Sequence, residues 1–242
     1  MQRTGETSPE SVGINKVWYL KRINIFEGMD EDSVRQLEPY LQHRRYEPRE
    51  MIFLPGDRGD KVYFLKEGVV KLARLSPSGK ETTLALLERG EIFGEMSFLD
   101  GLPRETFAQA MERVLVCIAR AQDFQRFVDG KPGLGLRISM SMGERVRDLE
   151  QQIENLVFRD VPGRLASTIL RLAKRHGTVE HPQGEMIDLR LTHQEIANLI
   201  GATRESASIN IGRLRSEGLI EIDRHRFVIR DRQGLEEMLD AF

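Results

Sequence analysis

The chain has 242 residues, with 36 Lys+Arg against 38 Asp+Glu and a net charge of −2. That length allows two domains with separate cores, and the charge is not that of a blanket nucleic-acid binder. No apolar run approaches the ~18 residues of a membrane span. A single cysteine, Cys117, excludes an intramolecular disulfide and a four-cysteine zinc or iron–sulfur centre within one chain, and such usage fits the cytoplasm.

The first residues are polar and carry no apolar signal-peptide stretch, which predicts a disordered tail over 1–17. Asp30-Glu31-Asp32-Ser33, followed by Val34, Leu37 and Leu41 at helical spacing, predicts a short helix with acids in its first turn. From about residue 42 to 121 the pattern changes to short β-forming runs (51–54, 62–65, 69–75, 82–87, 107–111 and 114–119). Turns such as Pro55-Gly56-Asp57, Ser76-Pro77-Ser78-Gly79 and Asp100-Gly101-Leu102-Pro103 separate them. Strands so closely spaced predict an antiparallel sandwich or roll, giving a first domain over 18–131. A short helix is expected over 122–128.

After Pro132 a helix of ~25 residues, nearly 40 Å long, runs to about residue 158. Its second half carries Met142, Val146, Leu149, Ile153 and Leu156 three and four apart, the spacing of a coiled-coil seam, so residues 132–159 are expected to pair with a second copy. Asp160-Val161-Pro162-Gly163 then marks a boundary, and a third region spans 160–242. Leu165, Ile169, Leu172 and Ala173 give its first helix. A hairpin is expected around His181-Pro182-Gln183-Gly184.

Residues 191–222 hold the most informative stretch. Thr192 and Glu195 form a capping box, Ile196, Leu199 and Ile200 keep helical spacing, and Gly201 ends the helix. Thr203 is placed to cap a second helix whose inward face is Ala207, Ile211 and Leu214. Arg204, Glu205 and Ser208 fall on the opposite face. Two short helices about a glycine turn, the second with Arg and Glu on its outward first turn, have the layout of a DNA-reading helix-turn-helix. Residues 219–222 and 227–229 around Asp223-Arg224-His225-Arg226 add a β-hairpin wing. From residue 161 to 232 there are 12 Lys+Arg against 9 Asp+Glu. So small a surplus requires contacts focused on one face.

Enzyme signatures are missing. Ser78-Gly79-Lys80-Glu81 lacks the upstream glycine and following hydroxyl of a P-loop, and no GxSxG or HExxH occurs. Cys117 lies in the apolar run VLVCIA and reads as a small buried residue. His43 falls in the polar stretch HRRYEPR and reads as solvated. His176 and His181 flank 177–180 and read as turn residues rather than metal ligands.

A roll with a Pro-Gly-Asp turn, a long helix and a winged helix resembles the Crp-Fnr superfamily of bacterial transcription regulators. The resemblance covers about residues 20–230. It rests on PGDRGDKVYFLKEGVVKL (55–72), GEIFGEMSFLDGLPR (90–104), FRDVPGRLASTILRLA (158–173) and LTHQEIANLIGATRES (191–206). It implies an α+β chain: a cyclic-nucleotide-binding-like β-roll, a dimerisation helix and a C-terminal winged helix-turn-helix. It further implies a cytoplasmic homodimer that binds a two-fold-symmetric site on double-stranded DNA, contacts RNA polymerase, most simply as an activator, and is no enzyme. The DNA-contacting set is then Thr192, Thr203, Arg204, Glu205, Ser206, Ser208 and Ile209. Many members carry a second base-reading Arg where this chain has Ile209, which predicts a TGTGA-related half-site with altered inner bases.

Members that bind cyclic AMP hold its ribose with a Gly-Glu pair, its phosphate with an Arg-Ser pair and its adenine with a Thr-Ser pair on the long helix. Gly94, Glu95 and Arg104 match that pattern as candidate effector residues, but the serine position is Glu105 and the Thr-Ser pair aligns with Leu149-Glu150. A carboxylate repels phosphate and leucine cannot hydrogen-bond adenine. Cyclic AMP is therefore disfavoured, leaving another small molecule or no effector, and Arg104 is expected to bridge to Glu95 or Glu105 inside the roll. A cyclic-AMP-dependent regulator and a small-molecule-binding module acting on protein partners are the alternatives.

Overall fold

The computed structural model describes residues 19–240. The tail expected over 1–17 lies outside them. The chain opens with a 3₁₀ turn, Asn24–Phe26, and α1, Glu31–Arg35, whose N-cap Asp30 accepts from the Ser33 amide at 2.7 Å. The helix expected to reach Leu41 stops short: after a 3₁₀ turn at Glu38–Tyr40, Leu41 opens a strand. Pro39 lies in that turn, and a proline carries no amide proton to continue a helix.

Eight strands follow: β1 Leu41–Tyr46, β2 Met51–Phe53, β3 Lys61–Glu67, β4 Val70–Leu75, β5 Glu81–Leu87, β6 Ile92–Phe93, β7 Phe107–Ala110 and β8 Val114–Arg120. A short α2, Met96–Asp100, sits between β6 and β7. The strands form two four-stranded antiparallel sheets, ordered β1-β8-β3-β6 and β2-β7-β4-β5. Between them lie Tyr46, Phe53, Tyr63, Leu65, Val70, Leu87, Phe93 and Val116. The outer face of the first sheet packs Phe64 and Cys117 against Phe26, Phe124, Leu134 and Ile138. Each such apolar side chain contributes about 1.5–3 kcal/mol by leaving water. His43 is not fully solvated: it lies on β1 with Nε2 3.6 Å from the Cys117 sulfur.

α3, Ala121–Asp129, leads to α4, Pro132–Phe158, of 27 residues. Asp160 then caps α5, Val161–His176, accepting from the Gly163 amide at 2.9 Å. The C-terminal region continues with β9 Thr178–His181, β10 Gly184–Arg190, α6 His193–Ile200, α7 Arg204–Ser216, β11 Ile220–Asp223, β12 Arg226–Ile229 and α8 Arg232–Asp240. Its four strands form one antiparallel sheet, ordered β11-β12-β10-β9. The wing turn has φ of 46° at Arg224 and 67° at His225. Two central residues at positive φ are what a tight two-residue hairpin needs to match strand twist.

The C-terminal domain is docked on the roll. Val69 and Leu86 of the roll belong to its apolar core, with Leu165, Ile169, Ile196 and Phe227. Glu81 of β5 accepts from Asn198 of α6 at 2.9 Å and from Lys71 at 2.7 Å. Arg175 at the end of α5 reaches Glu91 at 2.9 Å and also Asp148 of α4.

His176 is not a turn residue either. Its ring is buried, with Nδ1 3.1 Å from Glu88 of the roll. Burial, helped by Arg175 and Arg171, pulls its pKa down to about 4. Burial pushes the Glu88 carboxyl up to about 7, with Glu91 adding to the rise and Arg175 opposing it. These two groups act on stability with opposite sign. Folded Glu88 keeps a proton that the unfolded chain has lost, so its contribution falls as pH rises through about 7. Folded His176 stays neutral where the unfolded chain is protonated, so its contribution falls as pH drops below the ordinary histidine value toward about 4. Glu88→Gln is expected to remove the loss of thermal stability that builds as pH rises from the ordinary carboxylate value of 4.5 to about 7, and to leave the acid-side loss from His176 in place. An unchanged profile of melting temperature against pH would dismiss this account.

Candidate nucleic-acid interface and roll site

The C-terminal reading element is assembled by local capping. The Thr192 hydroxyl accepts from the Glu195 amide at 3.3 Å and donates to the Glu195 carboxylate, which also takes the Thr192 amide at 2.6 Å. That reciprocal box commits the Thr192 hydroxyl to starting α6. Gly201 follows at φ 64° and ends the helix, its amide returning to Ala197. Only a residue tolerant of the left-handed region closes this turn without strain. Thr203 then caps α7, accepting from the Ser206 amide at 3.1 Å.

Ala207, Ile211 and Leu214 are buried, as the spacing predicts, so the opposite face is fixed in orientation. Arg204 and Glu205 are exposed on the first turn, and Ile209 is 71% exposed one turn later. A solvated isoleucine gains nothing from its position on the monomer. Ser206 is half-buried, and Ser208 is tied to His193 of α6, Oγ to Nδ1 at 2.8 Å. His193 was not among the sequence-derived candidates. Its position directly after the Thr192 cap, at a helix start beside the reading helix, was the available signal. Arg204 can donate a bidentate pair to guanine, Glu205 can accept from a cytosine amino group, and Ile209 can touch a thymine methyl.

The roll candidates are brought together, but with other partners than expected. Arg104 is buried and makes no ion pair among the described residues; its guanidinium donates to the Gly94 and Lys61 carbonyls and lies 4.6 Å over the Phe53 ring. Burial holds its pKa below the usual guanidinium value, and Tyr63 and Glu95 oppose that shift. Glu95, 2% exposed, pairs instead with Arg145 of α4 at 2.8 Å. Glu105 pairs with Arg74 at the surface. The expected bridge between Arg104 and a carboxylate is therefore replaced by two carbonyls and an aromatic face.

The stripe on α4 is divided. Met142 packs against the roll core, Leu149 is half-buried, and Leu156 lies by the helix-turn-helix, where a Cβ on Gly201 would meet its Cδ2 at 2.7 Å. Val146, Ile153 and Leu156 are exposed, and so are Leu136, Met140 and Val157. Three members of the expected stripe are thus left uncovered, while Met142 and Leu149 are partly covered by the rest of the chain.

Fold and surface together define a winged helix-turn-helix whose reading face is free, docked on a ligand-domain roll. Residues 43–131 match the cyclic nucleotide-binding domain family, and residues 163–238 match the Crp-like helix-turn-helix domain. The chain is 30% identical over 220 residues to a "CRP-like cAMP-activated global transcriptional regulator" of Mycobacterium tuberculosis, spanning 89% of this chain and 96% of that one. It is 36% identical over 191 residues to the "Global nitrogen regulator" of Synechococcus elongatus, spanning 78% and 86%. Among solved structures it is similar to the c-di-GMP responsive global regulator CLP of Xanthomonas campestris, with a TM-score of 0.75, 25% identity and coverage of 84% and 100%. The chain belongs to the Crp-Fnr family of transcription regulators, and its helix-turn-helix domain is a DNA-binding domain.

Proposed function

We propose that the protein acts as a homodimer that binds a two-fold-symmetric, TGTGA-related DNA site and activates transcription by contacting RNA polymerase. The observation that carries this reading is the exposed triad Arg204, Glu205 and Ile209 on the solvent face of a capped α7 whose opposite face buries Ala207, Ile211 and Leu214. The exposed apolar face of α4 supports pairing with a second copy, since Val146, Ile153 and Val157 recur at coiled-coil spacing. Two reading helices would then address half-sites one helical turn apart, about 10 bp.

The effector in this reading is absent or is not cyclic AMP. Glu95 is already committed to Arg145, and Arg104 to two carbonyls. Relatives of comparable identity carry names that refer to cyclic AMP in one case and to nitrogen in another, so identity at this level does not transfer the effector.

Binding selection with randomised duplexes, repeated with and without cyclic AMP, tests the proposal. The expected product is a palindrome whose inner half-site bases differ from TGTGA and whose affinity is indifferent to cyclic AMP. Enrichment of an unmodified TGTGA half-site, or affinity that rises with the nucleotide, would falsify the proposal. Ile209→Arg is expected to restore a guanine preference at one inner position, worth about 1–3 kcal/mol per half-site. A binding logo unchanged by Ile209→Arg would show that residue 209 does not face the bases.

A further inference from the structure

A cleft of ≈ 1110 Å³ lies between the roll and the C-terminal domain, away from the reading face of α7. One wall is the turn after β5, a second is the middle of α4, and the third is α5 with α8. Eight cationic side chains line it against five carboxylates. Much of this charge is internally matched: Arg175 reaches Glu91, Glu88 and Asp148, and Arg145 reaches Glu95.

The remainder is not matched. Arg171, Lys174 and Arg175 follow one another at i, i+3 and i+4 on α5, where like charges repel. Among the described residues, Arg171 and Lys174 have no ion pair, and neither do Arg89 on the roll wall and Arg147 on the α4 wall. Glu144 and Glu236 are the lining carboxylates without a cation partner among the described residues, so a cationic excess persists. Arg171 is the most exacting of these groups. Its Nε and Nη2 are shut off from solvent and have no hydrogen-bond partner among the described residues. Burial lowers its pKa from the ordinary guanidinium value, Arg175 adds to that, and Asp148 opposes it. Unpaired buried donors on a cation are costly, and a phosphate is the anion whose geometry a guanidinium fork fits best.

We infer that this cleft is a ligand site for a small polyanion with two or more phosphate groups, anchored by Arg171. Rotation about the terminal torsions of Arg171 turns its two unpaired donors toward the cleft, where a phosphate replaces missing bonds with charge-assisted ones. Lys174 shares that phosphate. A second phosphate falls to Arg89 and Arg147 on the facing walls. The occupant touches the roll, the long helix and the C-terminal domain together, so it favours their docked arrangement over any other. Differential affinity of this kind couples the cleft to DNA binding. Arg145 belongs to the cleft lining and also holds Glu95, so the roll site and the cleft share one residue.

The test uses the full-length protein at constant ionic strength, with orthophosphate, inorganic pyrophosphate and ATP as probes in calorimetry and thermal melting. Pyrophosphate and ATP are expected to bind at least tenfold tighter than orthophosphate and to raise the melting temperature. A further gain for ATP assigns a nucleotide, and equal binding assigns the phosphates alone. Arg171→Gln is expected to weaken pyrophosphate and ATP at least tenfold while anion-free DNA affinity stays the same. Arg89→Gln with Lys174→Gln, both at exposed positions, is expected to weaken them as well and serves should Arg171→Gln fail to fold. Binding equal to wild type in both variants overturns the inference. So does binding no better than matched sodium chloride, or binding lost in Arg204→Ala, which would put the anion on the DNA face.

Discussion

Arg204→Ala is expected to abolish site-specific DNA binding and leave the fold intact. The side chain is exposed on the first turn of α7, whose helix is held by Ala207, Ile211, Leu214 and the Thr203 cap instead. An exposed truncation with no buried contact changes stability by no more than ~0.5 kcal/mol. A bidentate contact to guanine is worth about 1–3 kcal/mol, and a two-fold dimer makes it twice, for about 2–6 kcal/mol in all. That corresponds to roughly thirtyfold to twenty-thousandfold in affinity for the selected site. Binding to unrelated duplex, which depends on phosphate contacts and salt, should change far less. Fluorescence anisotropy with specific and scrambled duplexes at one salt concentration measures the ratio. A variant that keeps the wild-type ratio would remove Arg204 from base reading, and with it the orientation assigned to α7.

The parts of the molecule most legible in the sequence are those set by neighbours along the chain. Thr192, Glu195, Gly201 and Thr203 act within three or four residues of themselves, and each occupies its expected cap or turn. Elements set by distant partners were harder to see. β1 buries only Leu41 and Tyr46 at its ends and presents polar residues between them, so its apolar period is too weak to distinguish it from a loop. It is a strand because all six residues pair with β8, 68 to 78 positions later. β6 has only two residues and α8 follows the wing with little apolar signal ahead of it.

The long helix illustrates a different limit. The apolar stripe runs through Met142, Val146, Leu149, Ile153 and Leu156, because Gly143 and Glu150 interrupt the one a position further on. Periodicity does not say which of its members stay uncovered. That is decided by what α4 packs on: Met142 meets the roll core and Leu149 is half-buried, leaving Val146, Ile153, Leu156 and Val157 exposed for another surface. The same holds for the roll site. Gly94, Glu95 and Arg104 were identifiable by residue type, but the cation that meets Glu95 is fifty positions away on another element.

That cation makes the second large prediction: Arg145→Ala should destabilise the protein by about 3–5 kcal/mol. Glu95 is 2% exposed, and Arg145 meets its Oε1 at 2.8 Å while also donating to the Ile92 carbonyl at 2.8 Å. Removing the guanidinium leaves a buried carboxylate without its hydrogen-bonded cation, facing only the Arg104 charge, which is spent on two carbonyls, and it orphans the Ile92 carbonyl. Glu95→Gln discards the charge and keeps the shape, so its cost should be smaller, and adding it to Arg145→Ala should recover part of the loss. Urea unfolding of the two single variants and the double gives the coupling energy directly. The rival expectation is that Glu95 is reserved for a ribose, as in members that bind cyclic AMP. Freed from Arg145, it would then take the nucleotide more tightly, and Arg145→Ala would cost little stability. Near-additive, small effects together with new cyclic-AMP binding would favour that rival. A large loss, partial rescue by Glu95→Gln and no response to cyclic AMP would make the pair a strut between the roll and the long helix.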